Sequence, residues 1–158
     1  MRVLFICSGN SCRSIMAEAI FNANAPSGWL ATSAGTQPTG AVNRRTLELL
    51  QREGFDTSGL SGKSADMLRG HADIVITLCS RAVGEYQPPA SRQILRSHWG
   101  LPDPALVSGG NAEMNAAFER VYLKLQTHIQ ALLALPLHTV RSDRAGLQVE
   151  LDRLGATM

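Results

Sequence analysis

The apolar positions of this chain follow two periods, one typical of buried strands and one typical of amphipathic helices. Continuous apolar runs at residues 2–6 and 73–78, the second rich in β-branched side chains, predict strands that are buried on both faces. Shorter runs at residues 29–34 and 92–97 predict two further strands. The pattern therefore predicts four strands spread along the chain.

Between and after these runs, apolar residues recur every three or four positions, which indicates helices with one buried face. The predicted helices cover residues 14–23, 41–54, 64–68, 111–135 and 142–154. Gly54 is a good C-terminal signal for the second of them, and Pro136 is expected to end the long fourth one.

The alternation of strands and helices predicts an α/β fold, with a four-stranded parallel sheet and helices on both of its faces. We divide the chain into a catalytic domain at residues 1–136 and a short C-terminal helical extension at residues 137–158. Ligands of parallel sheets bind at the carboxyl ends of the strands. Three segments are expected there: the loop after the first strand, Cys79 after the third, and residues 98–105 after the fourth.

Composition narrows the classes of function. The chain has 158 residues, 44% of them hydrophobic, and a formal net charge of only +2, with its arginines spread out, so we expect no nucleic-acid or membrane partner. The apolar start is too short for a signal peptide, which favours a cytoplasmic protein. Three cysteines favour reduced thiols over a disulfide framework. The four histidines lack metal-ligand spacing, and we predict neither a metal nor a cofactor.

The stretch CSGNSCRS, residues 7–14, joins the first predicted strand to the first predicted helix. A tight loop with inward N–H groups, followed by a helix N-terminus, is suited to binding an oxyanion such as phosphate. The guanidinium of Arg13 matches two oxygens of a tetrahedral anion. The same surroundings favour an ionised thiol, so we predict that Cys7 is a nucleophile that attacks the bound anion.

Three other loop residues have predicted backbone or capping roles. Gly9 is expected to adopt a conformation that other residues avoid, and Asn10 to tolerate left-handed geometry while bonding the loop internally. Ser14 is expected to cap the helix and to donate a hydrogen bond towards Cys7.

The stretch VLFICSGNSCRSIMAEAIF resembles the phosphate-binding loop of the low-molecular-weight protein tyrosine phosphatases and of the arsenate reductases built on the same fold. The resemblance continues through SAGT (33–36), VITLCS (75–80) and HWGLPDPA (98–105), and it covers about residues 1–135. It implies that the Asp of the Asp-Pro pair, Asp103, is the general acid that protonates the leaving oxygen. The implied anion-binding residues are Ser8, Gly9, Asn10, Ser11, Cys12, Arg13 and Ser14.

Two features favour the reductases over the phosphatases. The phosphatases usually place an aromatic residue after Asp-Pro, where this chain has Ala105 and Leu106. The reductases carry a second thiol after the third strand, where Cys79 lies. That thiol attacks the cysteine–arsenic adduct, releases arsenite and leaves a disulfide. The predicted function is therefore arsenate reductase, with Cys7, Arg13, Asp103 and Cys79 as catalytic residues.

One feature favours the alternative. Thioredoxin-coupled reductases carry a further cysteine seven or eight residues later, where this chain has Tyr86 and Gln87, and no cysteine follows Cys79. Either an external thiol, such as glutathione with glutaredoxin or a thioredoxin, completes the reduction, or the protein is a tyrosine phosphatase that uses water as second attacker. A non-catalytic anion-binding module is a third reading, disfavoured because Cys7, Arg13 and Asp103 are all present.

The resemblance also bears on residues behind the loop. Cys12 could pair with Cys7 as a reversible guard against over-oxidation, or it could simply pack. Some relatives hold a potassium ion below the loop with residues that match Asn10, Glu18 and Ser33 and an aspartate. The stretch where that aspartate would lie reads SGKS, so we expect Lys63 to supply the positive charge directly.

Overall fold

A computed structural model describes residues 1–68, 70–89, 93–135 and 142–158. Its four strands are β1 (Arg2–Cys7), β2 (Leu30–Gly35), β3 (Ile74–Thr77) and β4 (Leu95–His98). They form one parallel sheet in the order β2-β1-β3-β4. The predicted four-stranded parallel α/β fold is confirmed.

Five α-helices lie in the described part of the chain: α1 (Arg13–Asn24), α2 (Arg44–Arg52), α3 (Ser80–Glu85), α4 (Asn111–Leu133) and α5 (Arg144–Ala156). Short 3₁₀ turns cover Ala65–Leu68 and Pro104–Leu106. Gly54 follows α2 with φ +85°, and its N–H donates to the carbonyl of Gln51. The predicted glycine stop is therefore present, because glycine adopts this left-handed conformation without steric cost.

Some sequence predictions differ from the structure or lie outside the described residues. The helix predicted at residues 64–68 is a 3₁₀ turn over Ala65–Leu68. Strand β4 is Leu95–His98, shifted towards the C-terminus from the predicted 92–97, and residue 92 lies outside the described residues. Helix α3 was not predicted, since its six residues span too few turns to show a helical period. Pro136 and the predicted domain boundary next to it also lie outside the described residues, so the division into two domains stays a prediction.

The sheet carries helices on both faces. Phe5 of β1 contacts Phe21 of α1 at 5.9 Å between ring centroids, which places α1 on the Phe5 face. Phe5 is paired with Ile76 of β3, so Val75 and Thr77 point to the opposite face. There they line a cavity of about 230 Å³ with Val83 and Tyr86 from α3 and its C-cap, so α3 covers that face.

Strand register positions the site. Cys7, the last residue of β1, is paired with Gly35, the last residue of β2. On the other side of β1, Ile6 is paired with Thr77, and Thr77 with His98. The segments that leave β1, β3 and β4 therefore start at one edge of the sheet, as predicted.

Helix α5 packs along β4, the outer strand of the sheet. Leu147 and Leu151 are fully buried under it, and the side-chain amide of Gln148 bonds both the N–H and the carbonyl of Arg96 at 3.1 and 2.7 Å. Among the described residues, no helix combines the length and apolar character that a membrane span requires.

Candidate active site

The loop between β1 and α1 turns its carbonyl groups outward. The carbonyls of Cys7, Ser8, Gly9 and Ser11 accept hydrogen bonds, at 2.9–3.2 Å, from the backbone N–H groups of Thr36, Gln37, Thr39 and Asn43. In a planar trans peptide, the N–H of the next residue points opposite to the carbonyl. The N–H groups of Ser8, Gly9, Asn10 and Cys12 therefore point into the loop, where they form a concave anion-binding surface.

The left-handed residue of this loop is Asn10, with φ +47°. The prediction for Asn10 is therefore confirmed, whereas the prediction that Gly9 adopts an unusual conformation is wrong, because the φ of Gly9 is not positive. Gly9 serves close packing instead. A Cβ at this position would lie 3.2 Å from the Cγ2 of Thr39, which is tighter than ordinary van der Waals contact.

The sulfur of Cys7 is buried and lies 3.0 Å from the hydroxyl oxygen of Ser14. Ser14 does not cap the helix as predicted. It is the second residue of α1, and Cys12 occupies the N-cap without a side-chain hydrogen bond. The first N–H groups of α1 are thus left without a side-chain cap, which keeps them available to an anion.

A hydrogen-bond network under the loop leads to Ser14. The amide nitrogen of Asn10 donates to the hydroxyls of Ser14 and Ser33, each at 2.9 Å. The amide oxygen of Asn10 accepts the backbone N–H of Lys63 at 2.6 Å. The hydroxyl of Ser33 donates to Glu18. These contacts hold Asn10, and through it the loop, from three sides.

Lys63 supplies the positive charge in this network. Its ammonium lies 3.2 Å from a carboxylate oxygen of Glu18 and also donates to the carbonyl of Ser61 at 2.8 Å. The structure thus brings together Asn10, Glu18 and Ser33, with Lys63 at the place predicted for a cation. Within the described residues, no three His, Cys, Asp or Glu side chains are grouped as a metal site would require.

Arg13 connects the loop to the segment that follows β4. Its guanidinium is buried, and Nη2 lies 2.6 Å from Oδ2 of Asp103 while Nη1 donates to the carbonyl of Leu101 at 3.1 Å. Its Nε is buried and has no hydrogen-bond partner in the described residues. A buried N–H without a partner is costly, so this group is suited to donate a hydrogen bond to a ligand oxygen.

Asp103 is held from its other side as well. Its Oδ1 accepts the N–H of Ala105 at 3.0 Å, so Asp103 caps the short 3₁₀ turn that Pro104 begins. Leu106, at the end of that turn, exposes 82% of its surface and leaves the site without an aromatic wall there.

The two remaining cysteines contact different residues of the loop. The sulfur of Cys79 lies 3.4 Å from the hydroxyl oxygen of Ser8, the residue after Cys7. Cys12 is buried, and this burial raises the pKa of its thiol, although the hydrogen bond with Ser11 acts in the opposite direction. All three cysteines are free thiols.

Sequence reasoning missed the residues that support the loop from outside. Besides the N–H donors between Thr36 and Asn43, Gly35 approaches the loop closely. A Cβ on Gly35 would lie 2.6 Å from the carbonyl oxygen of Ser8 and 3.0 Å from the backbone nitrogen of Asn10. The stretch SAGT (33–36) contains this glycine at the carboxyl end of β2. Its role is evident only from the pairing of β2 with β1, the strand that leads into the loop.

The model of the low molecular weight phosphotyrosine protein phosphatase family matches residues 2–145. The arsenate reductase of Bacillus subtilis is 35% identical over 120 residues, which are 75% of this chain and 85% of that protein.

Solved structures of an arsenate reductase and of a tyrosine phosphatase are also similar to this chain. An arsenate reductase in its phosphate-binding state is 26% identical with a TM-score of 0.62, and the match covers 82% of this chain and 96% of that one. The low molecular weight protein tyrosine phosphatase from T. tengcongensis is 30% identical with a TM-score of 0.63, covering 82% and 95%. A loop of inward amides around Cys7 and Arg13 on this sheet, together with these matches, shows that the chain belongs to the low molecular weight phosphotyrosine protein phosphatase family.

Proposed function

We propose that this protein is an arsenate reductase that uses Cys7 as nucleophile, Arg13 and the loop amides as anion binders, Asp103 as general acid and Cys79 as resolving thiol. The observation that carries the proposal is the position of Cys79, whose sulfur contacts Ser8, the neighbour of Cys7. A second thiol in contact with the residue next to the nucleophile supports a two-electron reduction, because hydrolysis of a phosphate ester has no use for it.

The first step forms a covalent adduct. The sulfur of Cys7 attacks arsenic, and Asp103 gives a proton to the departing oxygen, which leaves as water. The inward N–H groups and Arg13 stabilise the negative charge on the remaining oxygens. The hydroxyl of Ser14, 3.0 Å from the sulfur, is placed to donate to the thiolate before attack.

The second step transfers the electrons. The sulfur of Cys79 attacks the sulfur of Cys7, the sulfur–arsenic bond breaks, and its electron pair stays on arsenic, which leaves as arsenite. Arsenic is thereby reduced by two electrons, and the two cysteines are oxidised to one disulfide. Two external thiols, which we expect to come from glutathione with glutaredoxin or from thioredoxin in the cytoplasm, then restore Cys7 and Cys79. Direct attack of an external thiol on the arsenic adduct is the alternative second step.

A second candidate function is phosphotyrosine hydrolysis through a phosphocysteine at Cys7, with Asp103 as acid and water as second attacker. The observation that favours it is the absence of any cysteine after Cys79 in the sequence, so no third thiol of this chain carries the disulfide onward. The proposed residues Cys7, Arg13 and Asp103 are the groups that this hydrolysis would use.

The deciding experiment compares wild type with Cys79→Ser in two assays. In the first, arsenite release is measured with glutathione, glutaredoxin or thioredoxin supplied. We expect the variant to lose at least about a hundredfold in rate, because the step that releases arsenite lacks its thiol. Equal rates in the two proteins would remove Cys79 from the mechanism.

The second assay is the internal control. Hydrolysis of an aryl phosphate needs Cys7, Arg13 and Asp103 but not Cys79, so the same variant should keep it within about twofold. Mass spectrometry of wild type quenched during arsenate turnover should find the disulfide between Cys7 and Cys79. Turnover of phosphotyrosine peptides without any arsenite release would establish the phosphatase instead.

A further inference from the structure

We propose that helix α5 is a positioning element for the acid: its last turn fixes the start of the segment 99–103, here called the acid segment, and so sets where Asp103 meets the substrate. The inference rests on the proposed role of Asp103. It assigns a function to a part of the chain that lies almost wholly beyond the family pattern, which ends at residue 145, whereas α5 runs from Arg144 to Ala156.

The first contact is between α5 and the end of β4. The hydroxyl of Ser97 donates to the carbonyl of Leu151 at 2.8 Å. One turn later, Gly155 lies so close that a Cβ would be 2.9 Å from the carbonyl oxygen of His98 and 3.0 Å from the Ser97 hydroxyl. The helix therefore touches the backbone of the strand residue that directly precedes the acid segment.

The second contact passes through α4. The hydroxyl of Thr157, the C-cap of α5, lies 3.4 Å from Nε2 of His128. The ring of His128 in turn packs on Trp99, with 5.6 Å between ring centroids. Trp99 is fully buried and is the first residue of the acid segment.

The acid segment transmits this position to the site because it is tied at each step. The N–H of Trp99 donates to the carbonyl of Thr77 at 2.8 Å, and that of Leu101 to Leu78 at 3.1 Å. The carbonyl of Leu101 accepts Nη1 of Arg13, and Asp103 pairs with Nη2. Two prolines, Pro102 and Pro104, stiffen the backbone around Asp103. A shift at His98 is therefore expected to move the carboxyl rather than be absorbed on the way.

The solved structures compared above match only part of this chain. The matches to the arsenate reductase and the phosphatase described above cover 96% and 95% of those chains but only 82% of this one. About a fifth of this chain is therefore additional to what those proteins share with it.

The test introduces one methyl group at the contact. Gly155→Ala places a Cβ against the His98 carbonyl, while alanine favours a helix more than glycine does, so a loss of function does not follow from loss of the helix. We expect turnover of phenyl phosphate, whose poor leaving group needs the acid, to fall about fivefold or more. Turnover of 2,4-dinitrophenyl phosphate, whose leaving group does not, should change by less than about twofold.

Two comparisons make the result specific. Gly84→Ala in α3 is the same change where a Cβ meets nothing within 4 Å, and it should leave both substrates unaffected. In the Asp103→Asn background, Gly155→Ala should cause no further loss on phenyl phosphate, because the residue acts through the acid. An equal loss on both substrates, or a full additional loss in the Asp103→Asn background, would overturn the proposal.

Hydrogen–deuterium exchange gives a readout that needs no turnover. Amide exchange in residues 99–106 should become faster in Gly155→Ala than in wild type, while residues 7–14 keep their protection. Unchanged exchange in residues 99–106 would contradict the proposal. Because the aryl phosphate assays and the exchange experiment do not involve arsenate, failure of the reductase proposal would not be confused with failure of this one.

Discussion

A chain of hydrogen bonds runs from the carboxylate of Glu18 to the sulfur of Cys7. The carboxylate determines which group donates in each of these bonds. The carboxylate of Glu18 only accepts, so the hydroxyl of Ser33 must donate to it and accept from Asn10. The amide oxygen of Asn10 is engaged by the backbone of Lys63, which leaves its NH₂ group for both serines. The hydroxyl of Ser14 therefore accepts a hydrogen bond from Asn10 and donates its own hydrogen to the sulfur of Cys7.

The buried thiol of Cys12 makes the stability of the folded protein depend on pH in the alkaline range. Burial raises the pKa of this thiol above its usual 9.0, so the thiol of the unfolded chain ionises first as pH rises. The folded state then holds more protons than the unfolded state, and its stability falls above pH 9. We expect the free energy of unfolding of wild type to fall more steeply than that of Cys12→Ala between pH 9 and 11, by up to about 1.4 kcal/mol per pH unit.

Urea unfolding followed at a series of pH values measures this difference. Thr127→Ala, on the exposed side of α4, removes a hydroxyl that does not titrate in this range and serves as control. Parallel curves for wild type and Cys12→Ala would show that the buried thiol ionises equally easily in both states.

Single residues of the site were predictable in identity but only partly in role. Cys7 and Arg13 could be chosen because a nucleophile and a cation have distinct chemistry, whereas Asp103 was identified through the family resemblance. The structure brings Arg13 and Asp103 into contact. The conformation predicted for Gly9 and the capping role predicted for Ser14 were wrong, whereas the left-handed Asn10 and the contact of Ser14 with the sulfur of Cys7 were predicted correctly. The two errors concern the close approach of Thr39 to Gly9 and the position of Ser14 inside α1, which the order of residues alone does not reveal.

The end of β2 is a structural support of the loop as well as a strand. Its last residue, Gly35, is paired with Cys7 and leaves no room for a side chain beside Ser8 and Asn10. We expect Gly35→Ala to distort the loop, to weaken phosphate binding at least tenfold in calorimetry, and to lower stability by about 1–3 kcal/mol, because a methyl group is forced into a packed site.

Gly59→Ala is the matched control, since a Cβ there meets nothing within 4 Å. It should leave phosphate affinity unchanged and stability within about 0.5 kcal/mol of wild type. If Gly35→Ala bound phosphate as wild type does, the close approach of β2 would not shape the anion site.

The long helix α4 was predicted well, whereas the short helix α3 was missed and the limits of β4 were displaced. The apolar stripe of α4 spans six turns, so its limits are within two residues of the prediction. Helix α3 has six residues, and packing of Ala82 against the sheet, not a sequence period, holds it there. Strand β4 extends to His98 because that residue pairs with Thr77, a contact that the alternation of residues alone does not reveal.

At the scale of the whole molecule, helix α5 covers β4, the outer strand of the sheet. An outer strand has backbone groups free to pair with another chain, and Gln148 occupies both groups of Arg96 on β4. We expect Gln148→Leu to lower the free energy of unfolding by about 1 kcal/mol and to increase self-association at high concentration, measured by analytical ultracentrifugation.

Gln130→Leu, an exposed glutamine on α4, provides the comparison for added surface hydrophobicity. Equal self-association of the two variants would assign the effect to leucine itself and not to the uncovered strand. Helix α5 was predicted from the sequence, but its packing on β4 was not. Gln148 looks like any polar helix residue in the sequence, and only the structure shows that it bonds the backbone of Arg96.

The ion pair between Arg13 and Asp103 bears on which anions can enter. Nη2 of Arg13 must release the carboxylate of Asp103, 2.6 Å away, before it can contact a ligand. The affinity for an anion therefore depends on how much stronger the contact of Arg13 with the anion is than its contact with Asp103. Chloride offers the guanidinium one weakly basic atom and gains less than the carboxylate provides, whereas arsenate offers several oxygens. Arsenous acid is uncharged near neutral pH, so once arsenic is reduced the carboxylate regains the guanidinium and the product does not compete with the next arsenate.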